Sequence, residues 1–140
     1  MNLGLSTEMQ PVEVAAERAR ILIIDDDVDQ ADVLAYRLRH QGFDVKHSAS
    51  ARQGAQLAQQ WSPDTILLDI RMPDGDGLEL CGQLSDDPAT AMIPVVLVSG
   101  AEMPHLIRQA RSAGSRFFVS KPYDPNVLLL LIQQTLQQDE

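Results

Sequence analysis

Residues 65–77 read T-I-L-L-D-I-R-M-P-D-G-D-G. Thr65, Ile66, Leu67 and Leu68 form an apolar or β-branched run of strand length that stops at Asp69. Pro73 cannot continue a hydrogen-bonded ladder, and Asp74-Gly75 favours a tight turn. An apolar run ending in turn chemistry is the pattern of a buried strand leaving a sheet. The Asp69 carboxylate therefore stands where the chain emerges, and in an open α/β sheet ligands bind at such strand ends. From this stretch alone, Asp69 could equally cap the next turn.

Working outward, the same alternation repeats on both sides. Ile21-Leu22-Ile23-Ile24 is a continuous aliphatic run, as in a strand covered on both faces, and it ends in Asp25-Asp26-Asp27. From Asp29, Ala31, Val33, Leu34 and Leu38 recur at helical spacing, and Gly42 stops them. Residues 43–47 read as a second strand and 49–60 as an Ala/Gln-rich helix. Beyond the central stretch, 77–84 reads as a helix, followed by a polar loop at 85–88. A strand at 93–98 ends at Ser99-Gly100, and a helix at 102–113 is stopped by Gly114. Phe117-Phe118-Val119 leads into Ser120-Lys121-Pro122, and Asp124-Pro125 opens a last helix as N-cap and first-turn proline. Five strands alternating with five helices imply an α/β fold. The expected form is a flavodoxin-like, doubly wound parallel sheet with right-handed crossovers and strand order 2-1-3-4-5. Residues 1–19 lack such patterns and read as an N-terminal extension, flexible or locally docked. The domain proper is expected over 20–140.

Composition narrows the function classes. The chain has 140 residues, 44% hydrophobic and 22% charged, with few aromatics, so one domain with an aliphatic core is expected. Eleven basic against twenty acidic residues leave a net charge of −9. That disfavours direct nucleic-acid binding by this domain. Cys81 is the single cysteine and lies among Leu78, Leu80 and Leu84, as a small buried thiol would. No apolar run approaches the ~20 residues of a membrane span. No basic-then-apolar leader opens the chain, so a cytoplasmic protein without membrane contact is expected.

In that strand order the exits of strands 1, 3, 4 and 5 meet on one rim. They deliver Asp25 and Asp26, Asp69, Ser99 and Lys121 respectively. Carboxylates gathered there repel one another unless a cation intervenes. A hard divalent ion with oxygen ligands answers that need, and Mg2+ suits it best because it takes one or two carboxylates, waters and phosphate oxygens. His40, His47 and His105 are scattered and read as solvated residues, not ligands. An acid-rich Mg2+ site with a lysine and a hydroxyl fits phosphoryl transfer, with Asp69 as nucleophile forming an acyl phosphate.

The stretches I-L-I-I-D-D-D (21–27), L-L-D-I-R-M-P-D-G-D-G (67–77), V-V-L-V-S-G (95–100) and F-F-V-S-K-P (117–122) together resemble the receiver domain of two-component response regulators. The resemblance implies a Mg2+-dependent domain phosphorylated on aspartate by a histidine kinase or phosphotransfer protein. By matching position, Asp69 would be the phosphoacceptor, Asp26 a direct metal ligand, Asp25 a ligand through water, and the Arg71 backbone carbonyl a further ligand. Ser99 would turn toward the phosphoryl group, Lys121 would pair with it, and Lys121-Pro122 would be cis. Phe118 stands at the family's aromatic switch position without a tyrosine hydroxyl. Arg71 and Ala101 occupy the positions that flank the attacking water. The resemblance further implies that phosphorylation reshapes the face of helix 4, strand 5 and helix 5. On that face the leucine-rich last helix is either a homodimer or effector surface, or leucine buried against the sheet. Such a domain signals and catalyses its own phosphoryl transfer and autodephosphorylation; it is not a turnover enzyme.

Three other readings compete with this one. A haloacid-dehalogenase-like phosphatase also has an Asp-x-Asp pair after a strand. However, it wants Thr or Val two residues beyond the second acid, where this chain has Asp29, and it usually carries a cap. A pseudo-receiver would keep the fold as a binding module without phosphorylation, against which the intact acids and Lys121 argue. A flavin site would need a Ser/Thr/Gly phosphate loop after strand 1, where three aspartates stand. The chain stops soon after the fifth helix, as either a stand-alone receiver or part of a longer regulator.

Overall fold

The aliphatic run at residues 21–24 is buried on both sides, and the sheet grows outward from it. A computed structural model describes residues 18–100 and 104–137. Five parallel strands, β1 (Arg20–Ile24), β2 (Asp44–Ser48), β3 (Thr65–Asp69), β4 (Val95–Ser99) and β5 (Phe117–Ser120), pair in the order β2-β1-β3-β4-β5. The helices are α1 (Val28–His40), α2 (Ala51–Trp61), α3 (Gly77–Asp86), α4 (Pro104–Ser112) and α5 (Pro125–Leu136). Strand residues alternate between two cores, because successive side chains of a strand point to opposite faces. Ile21, Ile23, Leu67 and Val96 pack with α1 and α5; Leu22, Ile24, Ile66, Leu68 and Leu97 pack with α2, α3 and Ala110 of α4. Each fully buried Leu or Ile contributes about 1.5–3 kcal/mol, which makes these rows the main source of stability.

The caps explain where the helices begin. Asp27 accepts a hydrogen bond from the Gln30 amide at 3.1 Å, so α1 starts at Val28. Ser50 accepts from Gln53 at 3.1 Å, which moves the start of α2 to Ala51, and a left-handed Ser62 ends it after Trp61. Asp76 caps α3 through Leu78, and the helix continues to Asp86, through part of the expected polar loop. Asp124 and Pro125 open α5 as expected. The fourth strand starts at Val95 and not at residue 93, because Ile93 is turned back onto Thr90. The expectations for residues 1–17, for Ala101 and for the start of the fourth helix at Glu102 lie outside the described residues.

One side-chain expectation needs correcting, and one open alternative divides. Val33 is 61% exposed and does not belong to the buried stripe of α1, which is Ala31, Leu34, Ala35 and Leu38. The leucines of α5 divide: Leu128 is buried, whereas Leu130 is 65% exposed. Cys81 is buried as expected, and burial pushes its thiol up to about 11.

After β3 the chain does not simply turn. Arg71–Met72 and Gly75–Asp76 pair as a short antiparallel ribbon, and the Gly77 amide closes onto the Ile70 carbonyl at 2.7 Å. A Cβ on Gly77 would lie 2.6 Å from Ile70 Cα and collide with the Asp69 carbonyl, so only glycine permits this closure. Gly77→Ala is expected to lose about 1–3 kcal/mol, as overpacking does. Gly82→Ala, in the same helix with nothing near its Cβ position, should gain up to about 1 kcal/mol. Urea unfolding of both variants measures this, and equal effects would contradict the close approach at Gly77.

Candidate functional site

The four strand exits do converge. The β1 exit is fixed by the Asp25 amide, which donates to the Ser48 carbonyl of β2 at 3.0 Å. Asp25 Oδ1 in turn accepts from the Asp27 amide at 2.9 Å. At the β3 exit, Asp69 Oδ1 accepts from the Arg71 amide at 3.0 Å, which orients the carboxylate across the rim. Lys121 comes from the β5 exit, and its own amide donates to the Ser99 carbonyl at 2.7 Å, tying the β4 and β5 ends together. Its ammonium donates to Asp69 Oδ2 at 2.9 Å and to Asp25 Oδ2 at 3.2 Å. The Lys121-Pro122 bond is cis, as the resemblance implied.

Asp25 and Asp69 are 9% and 8% exposed, whereas Asp26 faces solvent. Carboxylate oxygens of Asp25, Asp26 and Asp69 lie within 4.8 Å of one another. Burial raises the Asp25 carboxyl above its ordinary value, and the nearby Asp69 adds to the rise. The Asp27 amide and Lys121 oppose that rise without cancelling it. For Lys121, burial works against the charge, but the hydrogen bond to Asp69 and both carboxylates outweigh it and raise its pKa. The ammonium is therefore charged at neutral pH and shared between two acids. The donor set at this opening is all oxygen and strongly negative, which fits a hard divalent cation and offers nothing to a soft one.

Ser99 is buried at the β4 end, level with Ser120 across the β4–β5 pair. Phe118, level with Leu97, is half-buried against the core shared with α2 and α3. The expectation for the histidines is half wrong. His47 is neither scattered nor simply solvated: it is a half-buried β2 residue whose Nε2 lies 2.7 Å from the Asp25 carbonyl. A carbonyl only accepts, so Nε2 carries the hydrogen. The only sequence signal was its place near the end of the second strand, and the register puts it level with Ile23, two residues before the Asp25 exit. His40 stacks edge-on with Tyr36 on α1, and the His105 side chain lies outside the described ones.

The sequence profile described as the response regulator receiver domain matches residues 21–133. The chain belongs to this family. Among relatives, Protein PilH of Pseudomonas aeruginosa is 34% identical over 118 residues, covering 84% of this receiver domain's chain and 98% of its own. The DNA-binding dual master transcriptional regulator RpaA of Synechocystis sp. is 33% identical over 121 residues, and the match spans only 50% of its length. This chain thus covers half of one relative and nearly all of the other. The crystal structure of a CheY-like receiver domain protein from Methanospirillum hungatei superposes with a TM-score of 0.82 at 27% identity, covering 87% of this chain and 96% of its own. Receiver domains are signalling modules of two-component systems, and the flavodoxin-like order expected for this chain is the order found. No described helix is long and apolar enough to cross a membrane.

The raised carboxyl of Asp25 has a consequence for stability. A carboxyl that holds its proton more tightly in the folded chain than in the unfolded one favours folding at low pH and opposes it once ionised. Asp25→Asn keeps an acceptor for the Asp27 amide and removes that charge. In metal-free buffer the variant should melt above wild type at pH 7. The gain should fade as pH falls toward 3.8, the ordinary aspartate value, where wild type takes up the proton itself. Thermal melts across that range check this, and a variant less stable at pH 7 would contradict it.

Proposed function

We propose that this receiver domain accepts a phosphoryl group on Asp69 from a histidine kinase or phosphotransfer protein. The observation that carries the reading is the meeting of three carboxylates from two strand exits, with one ammonium bridging two of them. Asp69 sits on the central strand, between the exit bearing Asp25 and Asp26 and the exit bearing Ser99. Its carboxylate attacks phosphorus, an acyl phosphate P–O bond forms, and the P–N bond to the donor imidazole breaks with that nitrogen keeping the electron pair.

Asp26 and Asp69 would hold Mg2+ directly, with the Arg71 carbonyl, and Asp25 through water. Once bound, the ion offsets negative charge on the transferred oxygens. Lys121 already touches Asp69 and is placed to pair with the phosphoryl oxygens, while the Ser99 hydroxyl supplies a further donor. Loss of the signal is hydrolysis of the acyl phosphate by the domain itself. In this reading the domain works in the cytoplasm and catalyses its own transfer and dephosphorylation. The family match lends no support to the haloacid-dehalogenase-like phosphatase or the pseudo-receiver.

Output runs through the face of α4, β5 and α5. Ser99 moving toward the phosphoryl group would open space for Phe118 to turn inward. Around that strand the surface is apolar and cationic: Ile107, Val127 and Leu130 are 44%, 55% and 65% exposed. Arg108, Arg111 and Arg116 are exposed too, and the sequence from Pro104 to Tyr123 contains no acid. That character suits a second copy of the domain or an effector presenting apolar and acidic groups.

Incubation with acetyl phosphate and Mg2+ should give one hydroxylamine-labile phosphoryl adduct by intact mass, absent from Asp69→Ala and without Mg2+. No adduct, or one on another residue, would overturn the assignment. Mg2+ at about a hundred times its Kd should stabilise the fold by about 2.7 kcal/mol in thermal melts. Asp26→Asn should largely abolish that gain. Acyl-phosphate-treated protein should sediment as a larger species at rising concentration or bind its effector more tightly, and Leu130→Lys should suppress either change. A treated domain identical to the untreated one in both respects would count against this output face.

A further inference from the structure

Asp74 lies outside the acid cluster, at the tip of the ribbon that follows Asp69, yet its carboxylate is fully occupied. Oδ1 accepts from the Ala51 amide at 2.8 Å and Oδ2 from the Arg52 amide at 3.2 Å. These are the first two amides of α2, which a helix leaves without internal partners. That helix already has its own cap, Ser50, bonded to Gln53, so Asp74 is a second attachment made from 23 residues away. The two amides hold the Asp74 carboxyl below its ordinary value, which keeps it charged in mild acid.

What Asp74 joins matters more than the bonds themselves. On one side it belongs to the ribbon, where Arg71 pairs with Asp76 and Gly77 closes on Ile70. That ribbon holds Arg71 and follows directly on Asp69 at the end of β3, so it continues the β3 arm of the ion site, Asp69 and the Arg71 carbonyl. On the other side, the first turn of α2 rests on the last residue of β1: a Cβ on Gly54 would lie 2.6 Å from Ile24 Cδ1. Just before α2, the Ser48 carbonyl accepts from the Asp25 amide at 3.0 Å. The start of α2 is therefore locked to the β1 arm, which carries Asp25 and Asp26. Beyond the pairing of β1 with β3, the Asp74 carboxylate therefore adds a second link between the two arms, a strut by way of α2.

We infer that Asp74 is a positioning residue for the divalent ion: it touches no ligand atom, but it fixes the span between the Asp25/Asp26 arm and the Asp69/Arg71 arm. The ion demands near-ideal octahedral geometry, so a loose span weakens binding even with every ligand present. The inference rests on the proposed Mg2+ site and extends it to a residue outside the cluster.

The test compares Mg2+ affinity, by titration calorimetry at constant ionic strength, in wild type, Asp74→Ala, Asp74→Asn and Ser50→Ala. Asp74→Ala should bind Mg2+ about three- to tenfold more weakly, at or below the lower edge of what outer partners of a metal site contribute. Asp74→Asn keeps one acceptor and should fall between; it also carries the test if the alanine variant does not fold. Ser50→Ala removes the helix's own cap, so it should melt lower while binding Mg2+ as wild type does. Wild-type affinity in both Asp74 variants overturns the strut, as does an equal loss in Ser50→Ala, which would make the effect one of helix stability alone. Wild type failing to bind Mg2+ overturns the ion site itself and the strut with it, a result separable from the other two.

Discussion

One ammonium shared between two buried carboxylates is the contact on which this molecule depends. Two like charges 4 Å apart repel by roughly 4 kcal/mol at the effective dielectric of a protein surface. Asp25, Asp26 and Asp69 present three such pairs at one opening. Lys121 answers part of this by bonding Asp25 and Asp69 together, and it can do so only from the end of β5. Parallel strands of four or five residues bring four exits to one level, and the β4–β5 register with the Lys121–Ser99 backbone bond sets the reach of the lysine. An antiparallel sheet of the same residues would place half of these exits at the far end.

This explains why so much of the site was legible in the sequence. The strands are covered on both faces, so they appear as unbroken aliphatic runs, and the first polar residue after each run is the exit residue. Asp25, Asp69 and Ser99 were readable in that way, and Lys121 stands one residue further on, after Ser120. What was not readable depends on contacts between residues distant in the chain. His47 reaches the Asp25 carbonyl across 22 residues and Asp74 reaches α2 across 23, and no local pattern announces either. Val33 was misplaced for a different reason. A helix over β1 and β2 buries a narrow stripe, and a single apolar residue beside that stripe has the same spacing signature as one within it. Strand and helix starts shifted by one or two residues because caps and turns, not hydrophobicity, set them.

The shared ammonium also shows how charge added at Asp69 would be felt elsewhere. A phosphoryl group brings about −1.5 to −2 charges and three acceptor oxygens. Lys121 is then drawn between a stronger anion and Asp25, with its backbone still fastened to Ser99. Moving a population from 1:99 to 99:1 requires about 5.5 kcal/mol of difference between the two states. A few charge-assisted hydrogen bonds at about 1.5–3 kcal/mol each reach that range.

The two-core construction decides which way such a change travels. Phe118 faces the core of α2, α3 and α4 with Leu97, whereas its neighbours Phe117 and Val119 face the core of α1 and α5. Turning Phe118 would therefore disturb packing on the α4 side and leave the β5 residues that hold α5 in place. Leu128 and Ile132 stay buried beneath α5, while Leu130 and Val127 stand outside on the same helix. The last helix is thus an apolar border anchored by buried contacts, beside α4, whose packing on the other core includes Ala110. A partner that touches both borders would meet a different surface if α4 shifted against α5.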